Sequence, residues 1–164
     1  MLTLGIDSGS TTTKGALFDG EKIVRTAILP TSANPKDSIT KLYEILYNQD
    51  VAYTVSTGYG RALLDQADKQ ITEITCHARG AAFLNPSIRA IVDIGGQDCK
   101  AILLDNGLNV VDFIMNDKCA AGTGRFIEVM MRILEEDISN IDQFVEGHQP
   151  MNITSMCTVF AESE

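Results

Sequence analysis

A chain of 164 residues with 45% hydrophobic and 21% charged side chains has globular composition, enough for one good core or two thin ones, and is neither a disordered tail nor a collagen-like chain. Thirteen basic against twenty-two acidic residues leave a formal charge of −9, a field that repels phosphate backbones and anionic lipid and argues against nucleic-acid or membrane-surface partners. No apolar run reaches the roughly 20 residues that span a bilayer, and Asp7 stands where a secretory signal keeps an uncharged stretch, so the chain reads as cytoplasmic.

In chain order, residues 2–6 and 15–18 are short apolar runs joined by Asp7-Ser-Gly-Ser-Thr-Thr-Thr-Lys14, which predicts two strands and a polar, glycine-containing turn. Residues 23–28 give a third strand. After the break at Pro30 to Pro35, Ile39, Leu42, Tyr43 and Leu46 recur at helical spacing and predict an amphipathic helix over 36–49. Residues 51–57 return to strand composition, closed by Gly58-Tyr-Gly60. Residues 74–84 are small and apolar enough for a buried helix, ended by Asn85-Pro86 because proline cannot continue it.

A second block follows. Residues 88–94, 101–105 and 110–115 read as strands, with Asp105-Asn-Gly107 turning between the last two. Phe126, Val129, Met130, Ile133 and Leu134 make a second helical stripe over 123–136, entered through Gly122-Thr-Gly124. Asp7-Ser-Gly9-Ser10-Thr-Thr-Thr-Lys14 and Asp93-Ile-Gly95-Gly96-Gln-Asp-Cys-Lys100 both spell D-x-G-[SG]-x-x-x-K between strands, 86 residues apart. Such self-similarity predicts two related β-rich lobes, 1–86 and 87–164, each presenting one turn.

A tight turn of glycine and hydroxyl residues aims several backbone N–H groups at one spot and favours anions, and Lys14 adds a compact charge suited to phosphate. Carboxylate and phosphate repel, so Asp7 and Asp93 meet a polyphosphate only through a cation. Mg²⁺, held by one or two carboxylates and phosphate oxygens, suits two facing turns with one aspartate each. Ordinary hairpin chemistry explains either turn alone equally well. A P-loop is excluded, since G-x-x-x-x-G-K-[ST] does not occur.

Leu4-Gly-Ile-Asp-Ser-Gly-Ser-Thr-Thr-Thr-Lys14 and Val92-Asp-Ile-Gly-Gly-Gln-Asp98 resemble the two phosphate hairpins of the acetate kinase, sugar kinase, Hsp70 and actin superfamily. Within it, Asn116-Asp-Lys-Cys-Ala-Ala-Gly-Thr-Gly-Arg-Phe126 and Ser155-Met-Cys-Thr-Val-Phe-Ala-Glu-Ser-Glu164 resemble signature segments of the iron–sulfur ATPases that activate 2-hydroxyacyl-CoA dehydratases, a family that includes ATPase subunits of benzoyl-CoA reductases. The likeness extends to Ser56-Thr-Gly-Tyr-Gly-Arg61 and to the segment Glu73 to Ala81. It implies an α/β, actin-like ATPase (ribonuclease H-like) fold of two lobes, each with a sheet and a phosphate hairpin. Family members continue past Glu164, which implies that the second lobe is incomplete here and that the adenosine-binding segment is missing.

The resemblance also implies the site. Ser10, Thr11, Thr12, Thr13 and Lys14 would hold the β- and γ-phosphates of ATP or ADP, opposite Gly95, Gly96 and Gln97, with Mg²⁺ between Asp7 and Asp93. Gln97 is expected to position the attacking water, as the water-orienting glutamine does in other nucleotide hydrolases. Of four cysteines, none in a C-x-x-C pair, Cys119 and Cys157 are implied as ligands of a 4Fe–4S cluster. Each precedes an expected helix, whose positive end stabilises thiolate and anionic cluster alike. One chain supplies two thiolates, so the cluster would be shared by a symmetric homodimer. Met156 is placed to shield it from water. Cys76, Cys99 and His77 read as packing residues, and His148 sits in a glycine- and proline-flanked loop.

The implied activity is ATP hydrolysis that changes the lobe angle and delivers a low-potential electron, taken from reduced ferredoxin or flavodoxin, to a dehydratase or reductase component. A small-metabolite kinase of the same superfamily, without a cluster, and a non-enzymatic scaffold lobe are the alternatives; the first would be colourless and turn over only with an acceptor.

Overall fold

The computed structural model describes residues 1–116, 122–153 and 157–164. The chain divides into two units, Met1–Ile88 and Arg89–Glu164. In the first, β1 (Leu2–Ser8) and β2 (Thr12–Phe18) form an antiparallel hairpin that β3 (Ile23–Pro30) extends. The helix α1 (Pro35–Leu46) then crosses over to β4 (Val51–Gly58), which runs parallel to β1, and β5 (Lys69–Gln70) adds a short parallel edge. The sheet order is β3-β2-β1-β4-β5.

Alternation along the strands decides which face α1 covers. Leu4 and Ile6 of β1 and Leu17 of β2 turn toward it and pack with Ile39, Leu42, Leu46 and Leu64, all at most 3% exposed. Each such side chain contributes roughly 1.5–3 kcal/mol of burial. Gly15 lets the helix approach, because a β-carbon there would lie 2.5 Å from Leu46 Cδ1 and 3.1 Å from Leu42 Cδ2. Pro35 occupies the first helical turn, where its missing N–H is not needed. The helix stops at Leu46, short of the expected 49, with extended backbone at Tyr47, whose N–H closes on Tyr43 O at 2.7 Å.

The first turn is tighter than expected. β1 runs through Ser8 and β2 starts at Thr12, because the pairs Asp7–Lys14 and Ser8–Thr13 continue the ladder and β-branched threonines favour it. Only residues 9–11 turn. The helix α2 (Glu73–Leu84) buries one stripe, Ala78 and Ala82, while Phe83 and Leu84 are 54% and 82% exposed, so the expectation of a buried helix is corrected to a one-sided one. Phe83 meets Phe18 edge to face at 5.6 Å.

The second unit holds an antiparallel meander of β6 (Ala90–Ile94), β7 (Cys99–Leu104) and β8 (Val110–Asn116). The helices α3 (Gly124–Ile133), α4 (Ile141–Val145) and α5 (Thr158–Ser163) follow, and α3 ends before the expected residue 136 because Glu135 takes a positive φ of 58°. The left-handed residue of the β7–β8 turn is Leu108 (φ 61°), with Asp105 accepting from the Asn109 N–H at 2.9 Å. That bond and the Asn109 side chain hold the Asp105 carboxyl below the usual carboxylate value. Ile102, Leu104, Met131 and Ala161 are buried. Among the described residues no helix is long and apolar enough to cross a membrane.

Candidate functional site

Asp7 and Lys14 are direct partners across the β1–β2 ladder, with Lys14 Nζ 3.3 Å from Asp7 Oδ2. Lys14 keeps 48% of its side chain exposed, so its charge is available to a ligand. Beneath the turn, the Gly9 N–H donates to Thr12 O at 3.1 Å, and a β-carbon on Gly9 would sit 2.9 Å from that oxygen, which restricts the position to glycine. Ser10 and Thr11 are exposed at the tip. Thr13 is fully buried, and its hydroxyl lies 2.9 Å from Thr31 Oγ1. Thr31 donates in turn to Gly9 O at 2.9 Å, so Thr13 is the donor between the two hydroxyls. The side chain of Thr13 therefore braces the turn from below instead of lining it.

Thr31, in the proline-flanked break after β3, clamps this turn. Its N–H also donates to Thr11 O at 2.9 Å. The segment after β4 supports Asp7 from the other side. Gly58 has φ +83°, and a β-carbon there would run into Asp7 Oδ1 and come within 2.5 Å of Ser8 O. Arg61 pins this segment by donating from Nη1 to Gly58 O at 3.0 Å, and the Gly60 N–H reaches Ser8 O at 3.1 Å.

The second hairpin repeats the construction with one charge rearranged. Asp93 and Lys100 are ladder partners, the Gly95 N–H donates to Asp98 O at 2.8 Å, and a β-carbon on Gly95 would strike Asp98 Oδ1. Lys100, however, has a side chain only 2% exposed, set 3.3 Å from Asp93 Oδ2 and 2.8 Å from Asp98 Oδ1. The signature lysines thus differ: Lys14 is open to solvent, whereas Lys100 is an interior counter-ion. Gly95 and Gly96 are half-buried and Gln97 is exposed at the tip.

This hairpin is joined to α3. The N–H groups of Gly124 and Arg125 donate to the carbonyls of Gly95 and Gly96 at 2.8 and 3.0 Å, and Cys99 Sγ lies 2.7 Å from Gly122 O. Two first-turn donors of α3 are therefore taken by the hairpin backbone. Cys99 is a half-buried hydrogen-bonded thiol and not the inert packing residue expected. Burial, then the carboxylates of Asp98 and Asp93, push its thiol up, with Lys100 opposing.

Of the cysteines expected to bind metal, Cys157 is half-buried immediately before α5, and its backbone carbonyl accepts from the Ala161 N–H at 3.1 Å. Cys119 and Met156 lie outside the described residues. Cys76 is half-buried on α2 and lines a cavity of about 420 Å³ beside Asp7, Lys14 and Thr57. Asp7 Oδ1 is buried without a hydrogen-bond partner among the described residues, an oxygen that suits a hard, hydrated cation. Two cysteine sulfurs, as Cys119 and Cys157 would offer, are the donor type that an iron–sulfur cluster takes.

A glycine-braced hairpin with aspartate facing lysine, at the end of a sheet whose first strand lies between an antiparallel and a parallel neighbour, defines the class: the chain has the actin-like ATPase fold. A family model described as the BadF/BadG/BcrA/BcrD ATPase family matches residues 4–164, and the chain belongs to that family. It is 53% identical over 99% of its length to the uncharacterized protein YjiL of Escherichia coli, and 49% identical over its whole length to the activator of lactoyl-CoA dehydratase of Anaerotignum propionicum. It spans 64% and 66% of those relatives. The activator of the 2-hydroxyisocaproyl-CoA dehydratase from Clostridium difficile, solved with bound ADPNP, superposes with a TM-score of 0.88 at 47% identity, over 99% of this chain and 63% of that one.

Proposed function

We propose that this chain is the phosphate-binding and cysteine-bearing part of an ATP-hydrolysing activator that delivers a low-potential electron to a 2-hydroxyacyl-CoA dehydratase or a related reductase component. It would work in the cytoplasm as a homodimer, with reduced ferredoxin or flavodoxin as donor. Support for the nucleotide comes from the open Lys14 ammonium, the exposed Ser10 and Thr11 hydroxyls and the glycine-braced turn, which together suit a β- or γ-phosphate. Asp7 and Asp93 would hold Mg²⁺ through its water, and Gln97 would orient the water that attacks the γ-phosphate, giving ADP and phosphate.

The observation that carries the reading is the hydrogen bonding of the second phosphate hairpin to the start of α3, immediately after the segment that bears Cys119. Contacts that a γ-phosphate adds at Gly95 to Gln97 would alter the carbonyls that α3 depends on. Nucleotide state can then bias the cysteine segment through differential contacts, with no other relay required. A cluster held by Cys119 and Cys157 of two chains would supply one-electron chemistry.

The test is anaerobic purification of the full-length protein. Iron and sulfide near four each per dimer, lost in both Cys119→Ala and Cys157→Ala, together with acceptor-independent ATP hydrolysis, is the expected result. A colourless protein that turns over only with a phosphoryl acceptor would be a kinase instead.

A further inference from the structure

Asp7 and Thr57 are partners in adjacent parallel strands, β1 and β4, and alternation turns both away from α1. Gly5, Asp7, Lys14, Val55, Thr57 and Cys76 share the wall of the 420 Å³ cavity on that face, most of which is apolar. Three of its polar groups gather where the strands end: the Asp7 carboxylate, the Lys14 ammonium and the Thr57 hydroxyl.

Two of these atoms share a condition. Asp7 Oδ1 and Thr57 Oγ1 are both buried and neither has a hydrogen-bond partner among the described residues, whereas Asp7 Oδ2 takes Lys14. A hydroxyl buried without a partner is destabilising, and valine would fill the same strand position without that penalty. Asp7 Oδ1 can only accept, while Thr57 Oγ1 can both donate and accept. A water that donates to both atoms satisfies them together, and Mg²⁺ keeps several such waters when it meets a carboxylate.

We propose that Thr57 is a positioning residue for Asp7, its hydroxyl and Asp7 Oδ1 gripping the same water in the hydration shell of the divalent cation that accompanies the nucleotide. This rests on the reading of the β1–β2 turn as a nucleotide-phosphate site. Thr57 touches neither phosphate nor metal; it fixes the orientation in which the carboxylate meets the hydrated ion.

The test is calorimetric titration of the full-length protein with ADP, in excess Mg²⁺ and in EDTA, for the wild type, Thr57→Val and Thr57→Ser. In Thr57→Val the tightening of ADP binding by Mg²⁺ should shrink by roughly 2- to 10-fold, the yield of one hydrogen bond, with affinity in EDTA unchanged. Thr57→Ser should recover most of it. The ligand-free Thr57→Val protein should melt at or a few degrees above the wild-type temperature, because an unsatisfied group has been removed. The inference is overturned if Thr57→Val keeps the full magnesium effect, or if it weakens binding equally with and without Mg²⁺ while melting lower. A wild type that does not bind ADP at all would instead overturn the nucleotide reading.

Discussion

Replacing Gly58 by alanine tests whether the segment after β4 holds Asp7 in place. Two costs are readable from the structure. At φ +83° a residue with a β-carbon is strained by roughly 1–2 kcal/mol. The new carbon would also lie 2.5 Å from Ser8 O and 2.8 Å from Ser8 C, and would collide with Asp7 Oδ1. Backbone cannot swing away as a side chain does, so overpacking adds about 1–3 kcal/mol. Reduced freedom of the unfolded chain returns about 0.4–1 kcal/mol. The net loss is roughly 1–4.5 kcal/mol, or at least about 4 °C in melting temperature for a unit of this size. Gly20→Ala is the control, because it has φ +106° but open space around it, so only strain applies, and its shift should be clearly smaller than that of Gly58→Ala. Differential scanning calorimetry of both variants separates the two terms. Equal shifts would show that the clash is relieved at little cost and that Gly58 does not fix Asp7.

Lys100→Met should lower stability by about 3–5 kcal/mol in urea denaturation, since Asp93 and Asp98 then face each other without their interior counter-ion. Lys14→Met, at a half-exposed pair, should change stability by about 1 kcal/mol or less while weakening phosphate binding; equal stability losses would refute the distinction drawn between the two lysines. Cys99 should alkylate more slowly near pH 8 than the same thiol in urea, followed by mass spectrometry, because burial and two carboxylates raise its pKa. A raised folded value means that its contribution to stability is full below the unfolded value of about 8.5 and is lost as pH rises through the folded one. Reaction as fast as in the unfolded chain would contradict this.

How much was legible in the sequence varies by residue. The duplicated signature predicted two strand–turn–strand units, and the aspartate and lysine of each copy do face each other across a ladder. That follows from local rules: period-2 alternation, glycine at a close approach, and β-branched residues in strands act over a few positions. The helical stripe of Ile39, Leu42 and Leu46 was equally plain, and it does form the core. Identical letters at Lys14 and Lys100 hid opposite environments, because exposure depends on which neighbour arrives: Asp98 reaches Lys100 from within its own turn, and among the described residues no second carboxylate reaches Lys14. Thr31, 22 residues from Gly9, and Thr57, on a strand reached only through a helical crossover, join the first turn by tertiary pairing that no local pattern announces. Chain-local preference therefore determined the elements and the two turns. Only the folded arrangement decided which hydroxyl braces, which is unpartnered among the described residues, and which lysine stays open to solvent, because those properties belong to burial and to long-range hydrogen bonds and not to residue type.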